Sequence, residues 1–263
     1  MTLRINTQDG LAFMPEAVIF DTDNTLYAYD KPHAMAMQAA THKACKLLGV
    51  SPADFSESFK LARRQIKDQL GRTASSHSRL LHFQRAIEIL GMRTQLLITL
   101  DLEQTYWRTF LGVAELFPGV KEFVQDLRTA GIRTAIVTDL TAQIQFRKII
   151  YFGLDDYFDY VVTSEEAGAD KPSKAPFEIA LDKLKARPDR CWMIGDSAEA
   201  DVAGARAIDV VTLQKKHAGV VVQDGADAPN AVFEHFSDLR ALLYARGWVR
   251  DGFDEEDGKA VNE

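Results

Sequence analysis

The chain has 263 residues, of which 46% are hydrophobic, and this allows a full hydrophobic core with room for two compact units. Its net charge of −7 comes mostly from the last thirteen residues, where six carboxylates stand against one lysine. The rest of the chain is nearly neutral, shows no basic patch and has no apolar run long enough to cross a bilayer, so we expect neither nucleic acid nor membrane as a partner. We interpret residues 248–263 as an acidic disordered tail.

The N-terminal residues lack the charged-then-apolar pattern of a signal peptide. The chain contains only two cysteines, Cys45 and Cys191, which lie far apart in the sequence. Since this spacing does not indicate a disulfide framework, we expect a cytoplasmic protein.

The first predicted element is a short buried strand, Ala17-Val18-Ile19-Phe20, which leads into the acidic segment Asp21-Thr22-Asp23-Asn24-Thr25. A continuous apolar run of this kind is typical of a parallel strand covered on both faces. Open α/β sheets bind their ligands where such strands end, so the two carboxylates occupy a favourable place for a site.

A long segment with helical periodicity follows the first strand. Pro32 and Ser51-Pro52 are suitable helix starts, and Gly49 is a suitable stop. Two further helices are predicted, one from about Leu80 to Gly91 and one from about Gln95 to Leu111. Residues 28–115 therefore form a separate helical unit in this interpretation.

Beyond Phe117, strands and helices alternate. The predicted strands are Arg133 to Thr138, Tyr160 to Thr163, Cys191 to Ile194 and Val210 to Leu213. The predicted helices are Val120 to Ala130, Ala142 to Tyr151, Ala175 to Lys185 and Glu199 to Ile208. This alternation predicts right-handed βαβ units, and hence an α/β fold with a Rossmann-like parallel-sheet core into which the helical unit is inserted.

Polar residues follow these strands on the carboxyl edge of the sheet: Thr138 with Asp139, Lys171 in the loop after the third strand, and Asp196 with Asp201 after the fourth. Together with the two aspartates of the first strand they suit phosphoryl transfer. Carboxylate oxygens bind Mg²⁺, and a carboxylate can attack phosphorus once its repulsion from phosphate is screened. Each residue alone is more simply a turn or helix-cap residue, and only their joint order favours catalysis.

With these motifs the chain resembles the haloacid dehalogenase-like hydrolase superfamily. Asp21-Thr22-Asp23-Asn24-Thr25 matches its first signature, Thr138 the second-motif hydroxyl, Lys171-Pro172 the third-motif lysine, and Gly195-Asp196-Ser197 with Asp201 the fourth motif. The resemblance covers about residues 16–245. It implies a discontinuous catalytic core, residues 1–27 and 116–247, with residues 28–115 as an α-helical cap.

The resemblance also implies the residue roles. Asp21 would be the nucleophile, Asp23 the general acid and base, and Thr138 and Lys171 the phosphate-binding residues. Mg²⁺ would be held by Asp21, by Asp196 and by the main-chain carbonyl of Asp23, with Asp201 outside this ligand set near Lys171. An acid at position 23 favours a phosphatase over a dehalogenase, because a halide leaving group needs no proton.

The implied substrate is a small phosphomonoester, such as a sugar phosphate, a phosphoglycolate-like acid or a nucleoside monophosphate, bound by a monomer or homodimer. Specificity candidates are Tyr27, Arg72, His77 and Arg79, although surface residues of these types are usually only solvated. A phosphomutase acting on a phosphosugar and a non-catalytic binding protein stay open as alternatives. Asp139 stands where many relatives have asparagine, so we expect its side chain to point away from phosphate.

Overall fold

A computed structural model describes residues 3–7 and 10–249 of the chain. Its strands are β1 Arg4–Ile5, β2 Ala17–Phe20, β3 Arg133–Thr138, β4 Tyr160–Thr163, β5 Cys191–Gly195, β6 Val211–Lys215 and β7 Ala231–Phe233. They form one seven-stranded sheet in the order β1-β7-β6-β5-β2-β3-β4. Every pair of neighbours is parallel except β1 and β7, which are antiparallel.

The central strand β2 is buried on both faces of the sheet. Val18 and Phe20 belong to the apolar cluster on one face, whereas Ala17 and Ile19 belong to the cluster on the other. The neighbouring strand β5 is buried along its whole length in the same way. Since both faces are covered, these strands are continuous apolar runs in the sequence, and the predicted α/β class is confirmed.

Four helices follow β2 and form the helical unit: α1 Asp30–Leu48, α2 Pro52–Leu70, α3 Arg79–Ile89 and α4 Leu96–Val113, with a 3₁₀ turn at Ala74–His77. Gly49 ends α1 at a φ of 70°, and Ser51 begins α2 by accepting a hydrogen bond from the amide of Asp54. The facing sides of the helices bury an aromatic cluster that includes Phe55, Phe83, Tyr106 and Phe110.

Two chain segments connect the helical unit to the sheet, and they are hydrogen-bonded to each other. The amide of Phe117 donates to the carbonyl of Leu26 at 2.8 Å, and one apolar cluster continues from the sheet into the helices. On the other side, Arg72 pairs with Glu199 at 2.7 Å and His77 with Asp170 at 2.9 Å. The helices are therefore closed over the carboxyl edge of the sheet.

The remaining helices cover the sheet: α5 Val120–Thr129, α6 Ala142–Tyr151, α7 Ser164–Ala167, α8 Lys174–Leu184, α9 Gly204–Arg206 and α10 Phe236–Ala245. The helix predicted over Glu199 to Ile208 is interrupted, because Ala198–Ala203 forms a π-helical segment. This segment packs closely on β5: a Cβ on Gly195 would lie 2.4 Å from the carboxylate of Asp201.

The C-terminal segment departs from its predicted start. The sequence predicts that the tail begins at Trp248, whereas in the structure Val249 is buried and Trp248 contacts Trp192 with a ring separation of 6.0 Å. The rest of the predicted tail, residues 250–263, lies outside the described residues. Among the described helices, none has the length and apolar composition needed to span a membrane.

Candidate active site

The carboxyl ends of β2, β3 and β5 lie beneath the helical unit and line a cavity of about 300 Å³. Most of the residues singled out in the sequence meet there. These are Asp21, Asp23, Thr138, Lys171, Asp196 and Asp201 from the sheet side, and His77 and Arg79 from the helical side. Tyr27 and Arg72 do not line this cavity.

The ammonium group of Lys171 lies at the centre of the buried polar contacts. Its Nζ donates to Oδ1 of Asp21 at 2.6 Å, to Oδ1 of Asp201 at 2.7 Å and to the carbonyl of Val137 at 3.2 Å. Burial alone would lower the pKa of Lys171, but Asp201 and Asp21 outweigh it and hold that pKa well above its usual value. Lys171 is therefore a permanent cation that fixes two carboxylates.

Three carboxylates share this one ammonium. Oxygens of Asp21, Asp196 and Asp201 lie within 4.8 Å of one another. Burial raises the pKa of Asp21 well above its usual value, and Asp201 and Asp196 add to the effect while Lys171 opposes it. Burial and the charge of Asp201 likewise raise the pKa of Asp196 to about 7. The three carboxylates carry more negative charge than one ammonium neutralises. Carboxylate oxygens are hard ligands of the kind that bind a divalent cation such as Mg²⁺.

Two of these carboxylates are fixed in orientation. Oδ2 of Asp21 accepts a hydrogen bond from Oγ1 of Thr25 at 3.0 Å, so both of its oxygens have partners. Oδ2 of Asp201 accepts from the amide of Ser197 at 2.9 Å. With both oxygens of Asp201 engaged, Asp196 is the carboxylate with the most freedom to bind a cation.

Asp23 has a different environment from Asp21. Lys148, whose side chain is 2% exposed, donates to both of its oxygens at 2.8 and 3.1 Å, and the hydroxyl of Tyr27 donates to Oδ1. Burial alone would raise the pKa of Asp23, but Lys148 and then Tyr27 outweigh it and lower that pKa. The two carboxylates that follow β2 are thus shifted in opposite directions, as expected for groups with different chemical roles.

The hydroxyl of Thr138 is held by two neighbours. Oγ1 of Thr22 lies 2.8 Å away, and Nε2 of Gln145 donates to Thr138 at 2.8 Å. The carboxylate of Asp139 accepts from the hydroxyl of Ser164 and from the amide of Lys171, each at 3.0 Å. Asp139 therefore organises the loop that carries Lys171.

The four specificity candidates differ in position. Tyr27 is buried beside Asp23, and Arg72 lies on the surface in its ion pair with Glu199. His77 and Arg79 reach the cavity from the turn before α3 and from its first residue.

Sequence reasoning missed Lys148, Arg63 and Lys67, which line the cavity, and Gln145, which donates to Thr138. Lys148 and Gln145 lie on α6 at positions that its apolar face should occupy, so a polar residue on a buried helical face was an available signal. Arg63 and Lys67 line the cavity from α2, one helical turn apart. Their sequence signal is weak, because α2 carries many charged residues and only packing shows which of them face the cavity.

Known proteins resemble this chain over most of its length. A model of the family described as haloacid dehalogenase-like hydrolase matches residues 15–209. The chain is 39% identical over 201 residues to a ribulose-1,5-bisphosphate 5-phosphatase of Halopiger xanaduensis, covering 76% of this chain and 84% of that one. It is 31% identical to a glyceraldehyde 3-phosphate phosphatase of Methanothermobacter thermautotrophicus, with coverages of 73% and 81%.

A solved structure extends the likeness to the fold. A 2-haloacid dehalogenase from Pseudomonas syringae pv. tomato superposes with a TM-score of 0.72 and 22% sequence identity, covering 88% of this chain and 99% of that one. At this identity the likeness shows the shared fold alone.

The contacts of Lys171 generate a stability prediction. Lys171→Met leaves two buried carboxylates without their ammonium, so we expect the free energy of unfolding of the metal-free protein to fall by about 3–5 kcal/mol. Denaturant titration measures it. Lys185→Met, which removes an exposed ion pair with Asp182, is the matched control and should change little. A Lys171→Met protein as stable as its control would show that the buried contacts do not hold the site together.

Proposed function

The chain belongs to the haloacid dehalogenase-like hydrolases and is a phosphatase of that family, and we propose that it hydrolyses a small phosphorylated sugar through an aspartyl-phosphate on Asp21. The observation that carries the proposal is the buried Lys171, which holds Asp21 beside a cavity that also contains Asp23 and the hydroxyl of Thr138. The two relatives are named a sugar bisphosphate phosphatase and a triose phosphate phosphatase, which supports this substrate class.

In the first step an oxygen of Asp21 forms a bond to phosphorus, and the bond from phosphorus to the sugar oxygen breaks. Thr25 and Lys171 restrict rotation of the attacking carboxylate. Lys171 and Thr138 also bind the non-bridging phosphate oxygens, whose charge is redistributed in the transition state. The leaving oxygen takes a proton from Asp23.

In the second step Asp23 takes a proton from water, the water oxygen attacks phosphorus, and Asp21 is released with inorganic phosphate. Before substrate binds, Lys148 and Tyr27 favour the carboxylate form of Asp23. The negative charge of a bound phosphate raises the pKa of Asp23 and favours the protonated form that the first step needs. Asp23 can thus change its protonation state within one turnover.

We propose Mg²⁺ as the cofactor, held by Asp21, Asp196 and the main-chain carbonyl of Asp23. The acidic cluster and the raised pKa of Asp196 support a divalent cation at this place. When bound, Mg²⁺ supplies positive charge between the carboxylates and the phosphate. Asp201 would stay outside the ligand set and hold Lys171 in place, while its other oxygen accepts from the amide of Ser197.

We further propose that residues 28–115 act as a cap that keeps water from the reacting phosphate. Closure of the helices over the site through Arg72 and His77 supports this role. The cytoplasmic location and the monomeric or homodimeric state remain predictions of the sequence.

The nucleophile assignment is tested by Asp21→Asn. With Mg²⁺ present, we expect turnover of p-nitrophenyl phosphate to fall more than about a thousandfold, because an amide cannot form the acyl phosphate. Asp182→Asn, at an exposed ion pair far from the cavity, is the control and should keep full activity. Substantial activity in Asp21→Asn would contradict the assignment.

Product analysis separates hydrolysis from phosphoryl transfer within a sugar. On a panel of sugar phosphates the proposed enzyme releases one free phosphate for each ester cleaved. Formation of an isomeric phosphosugar without free phosphate would instead identify a phosphomutase.

The metal proposal predicts a thermal shift. Mg²⁺ at a hundred times its dissociation constant stabilises the folded state by about 2.7 kcal/mol and should raise the unfolding midpoint by about 5 °C or more. Asp196→Asn should lose this shift and should be at least as stable without metal, because it relieves the repulsion from Asp201. Asp182→Asn again serves as control. An undiminished shift in Asp196→Asn would place the cation elsewhere.

A further inference from the structure

Three cations of the helical unit face the catalytic cavity, and we call them the cationic patch: Arg63 and Lys67 from α2, and Arg79 from α3. They line the same cavity as Asp21. The proposed mechanism uses none of them, because the reacting phosphate is bound by residues of the sheet edge.

The cationic patch has no carboxylate partner. Among residues 3–7 and 10–249, no Asp or Glu oxygen lies within 4.0 Å of a side-chain nitrogen of Arg63, Lys67 or Arg79. The other two lysines of the cavity do have carboxylate partners, since Lys171 and Lys148 each contact an aspartate within 3 Å. The cavity therefore holds paired cations at the sheet edge and unpaired cations at the helical side.

Arg79 is the most deeply buried of the three cations, with only 9% of its surface exposed. Its guanidinium donates to the carbonyl of His77 at 3.1 Å and to the hydroxyl of Tyr29 at 2.5 Å, and it lies over the ring of Tyr106. Its Nε is buried without a hydrogen-bond partner. A buried charge without a counter-ion is costly, so this arrangement suits a bound anion.

The three charges also repel one another. Burial and the charges of Arg63 and Arg79 lower the pKa of Lys67, although Asp170 opposes them. A ligand with more than one negative charge relieves this repulsion better than a neutral sugar hydroxyl does. Two guanidinium groups and one ammonium suit a phosphate group, which carries nearly two charges and offers several acceptor oxygens.

We propose that the substrate is a sugar bisphosphate whose second, non-reacting phosphate is bound by the cationic patch. The inference rests on the proposed phosphatase function: one phosphate lies against Asp21 at the sheet edge, and the other end of the same molecule reaches Arg63, Lys67 and Arg79. The cavity of about 300 Å³ is at the small end of ligand sites, in keeping with a short sugar chain between the two phosphates. The patch gives affinity and orientation, and it takes no part in bond breaking.

The test compares matched substrates on the full chain with Mg²⁺. One pair is ribulose 1,5-bisphosphate and ribulose 5-phosphate, and the other is fructose 1,6-bisphosphate and fructose 6-phosphate. A further compound, 3-phosphoglycerate, has a carboxylate in place of the second phosphate. Each compound is measured both as a substrate and as an inhibitor of p-nitrophenyl phosphate hydrolysis. We expect at least one bisphosphate to bind or react at least tenfold better than its monophosphate.

Variants then assign the preference to the patch. Arg63→Gln and Lys67→Met should lower kcat/KM for the preferred bisphosphate at least tenfold more than for p-nitrophenyl phosphate, mainly by raising KM. Arg64→Gln removes the same charge from the next position of α2, outside the cavity lining, and should lower neither. Because Arg63 is exposed, its replacement leaves the fold intact, and unfolding midpoints check this.

The proposal would be overturned if neither assay showed a preference for a bisphosphate over its monophosphate, or if 3-phosphoglycerate were preferred to the bisphosphates. It would also be overturned if Arg63→Gln and Lys67→Met lowered kcat/KM equally for all substrates. Failure of the phosphatase function itself is distinguishable, because wild-type protein would then not hydrolyse p-nitrophenyl phosphate at all.

Discussion

The contact on which the site depends is the buried ammonium of Lys171 between Asp21 and Asp201. It joins three parts of the chain that are far apart in sequence, namely the end of β2, the loop before α8 and the π-helical segment after β5. Gly195 allows the contact, because a side chain there would collide with Asp201. A buried ammonium with two carboxylate partners is favourable only while all three groups stay in place. The position of the reactive carboxylate therefore depends on the packing of this edge of the sheet.

Charge is divided across the cavity between the two units of the fold. The sheet edge contributes an excess of carboxylates, which suits a divalent cation and the phosphate that accompanies it. The helical unit contributes cations without carboxylate partners, which suits a second anion on the same substrate. The ion pairs of Arg72 and His77 bring the two sets of charges together over one small cavity. We therefore propose that catalysis belongs to the sheet edge and specificity to the helical unit.

Sequence reasoning located the sheet edge well because its signals are local. Buried strands such as β2 and β5 are continuous apolar runs, and Asp21 and Asp196 follow them directly. The sequence does not predict the short strands β1 and β7 at one end of the sheet, since two or three residues give no periodicity. Tyr27 is a specificity candidate in the sequence, and the structure places it buried with its hydroxyl donating to Asp23, a contact that no local pattern predicts. The partners of a side chain on a charged helix, such as Arg63, depend on tertiary packing that no local pattern encodes.

The central claim is that Asp21, fixed by Lys171, becomes covalently phosphorylated. The most direct measurement uses the Asp23→Asn variant. Its reaction with p-nitrophenyl phosphate and Mg²⁺ is stopped rapidly with acid, and peptide mass spectrometry then locates any phosphoryl group on the protein. An aryl leaving group needs no proton, whereas hydrolysis of the intermediate needs a base, so this variant should accumulate one phosphoryl group on Asp21. Absence of phosphate on Asp21, or its presence on another residue, would contradict the account.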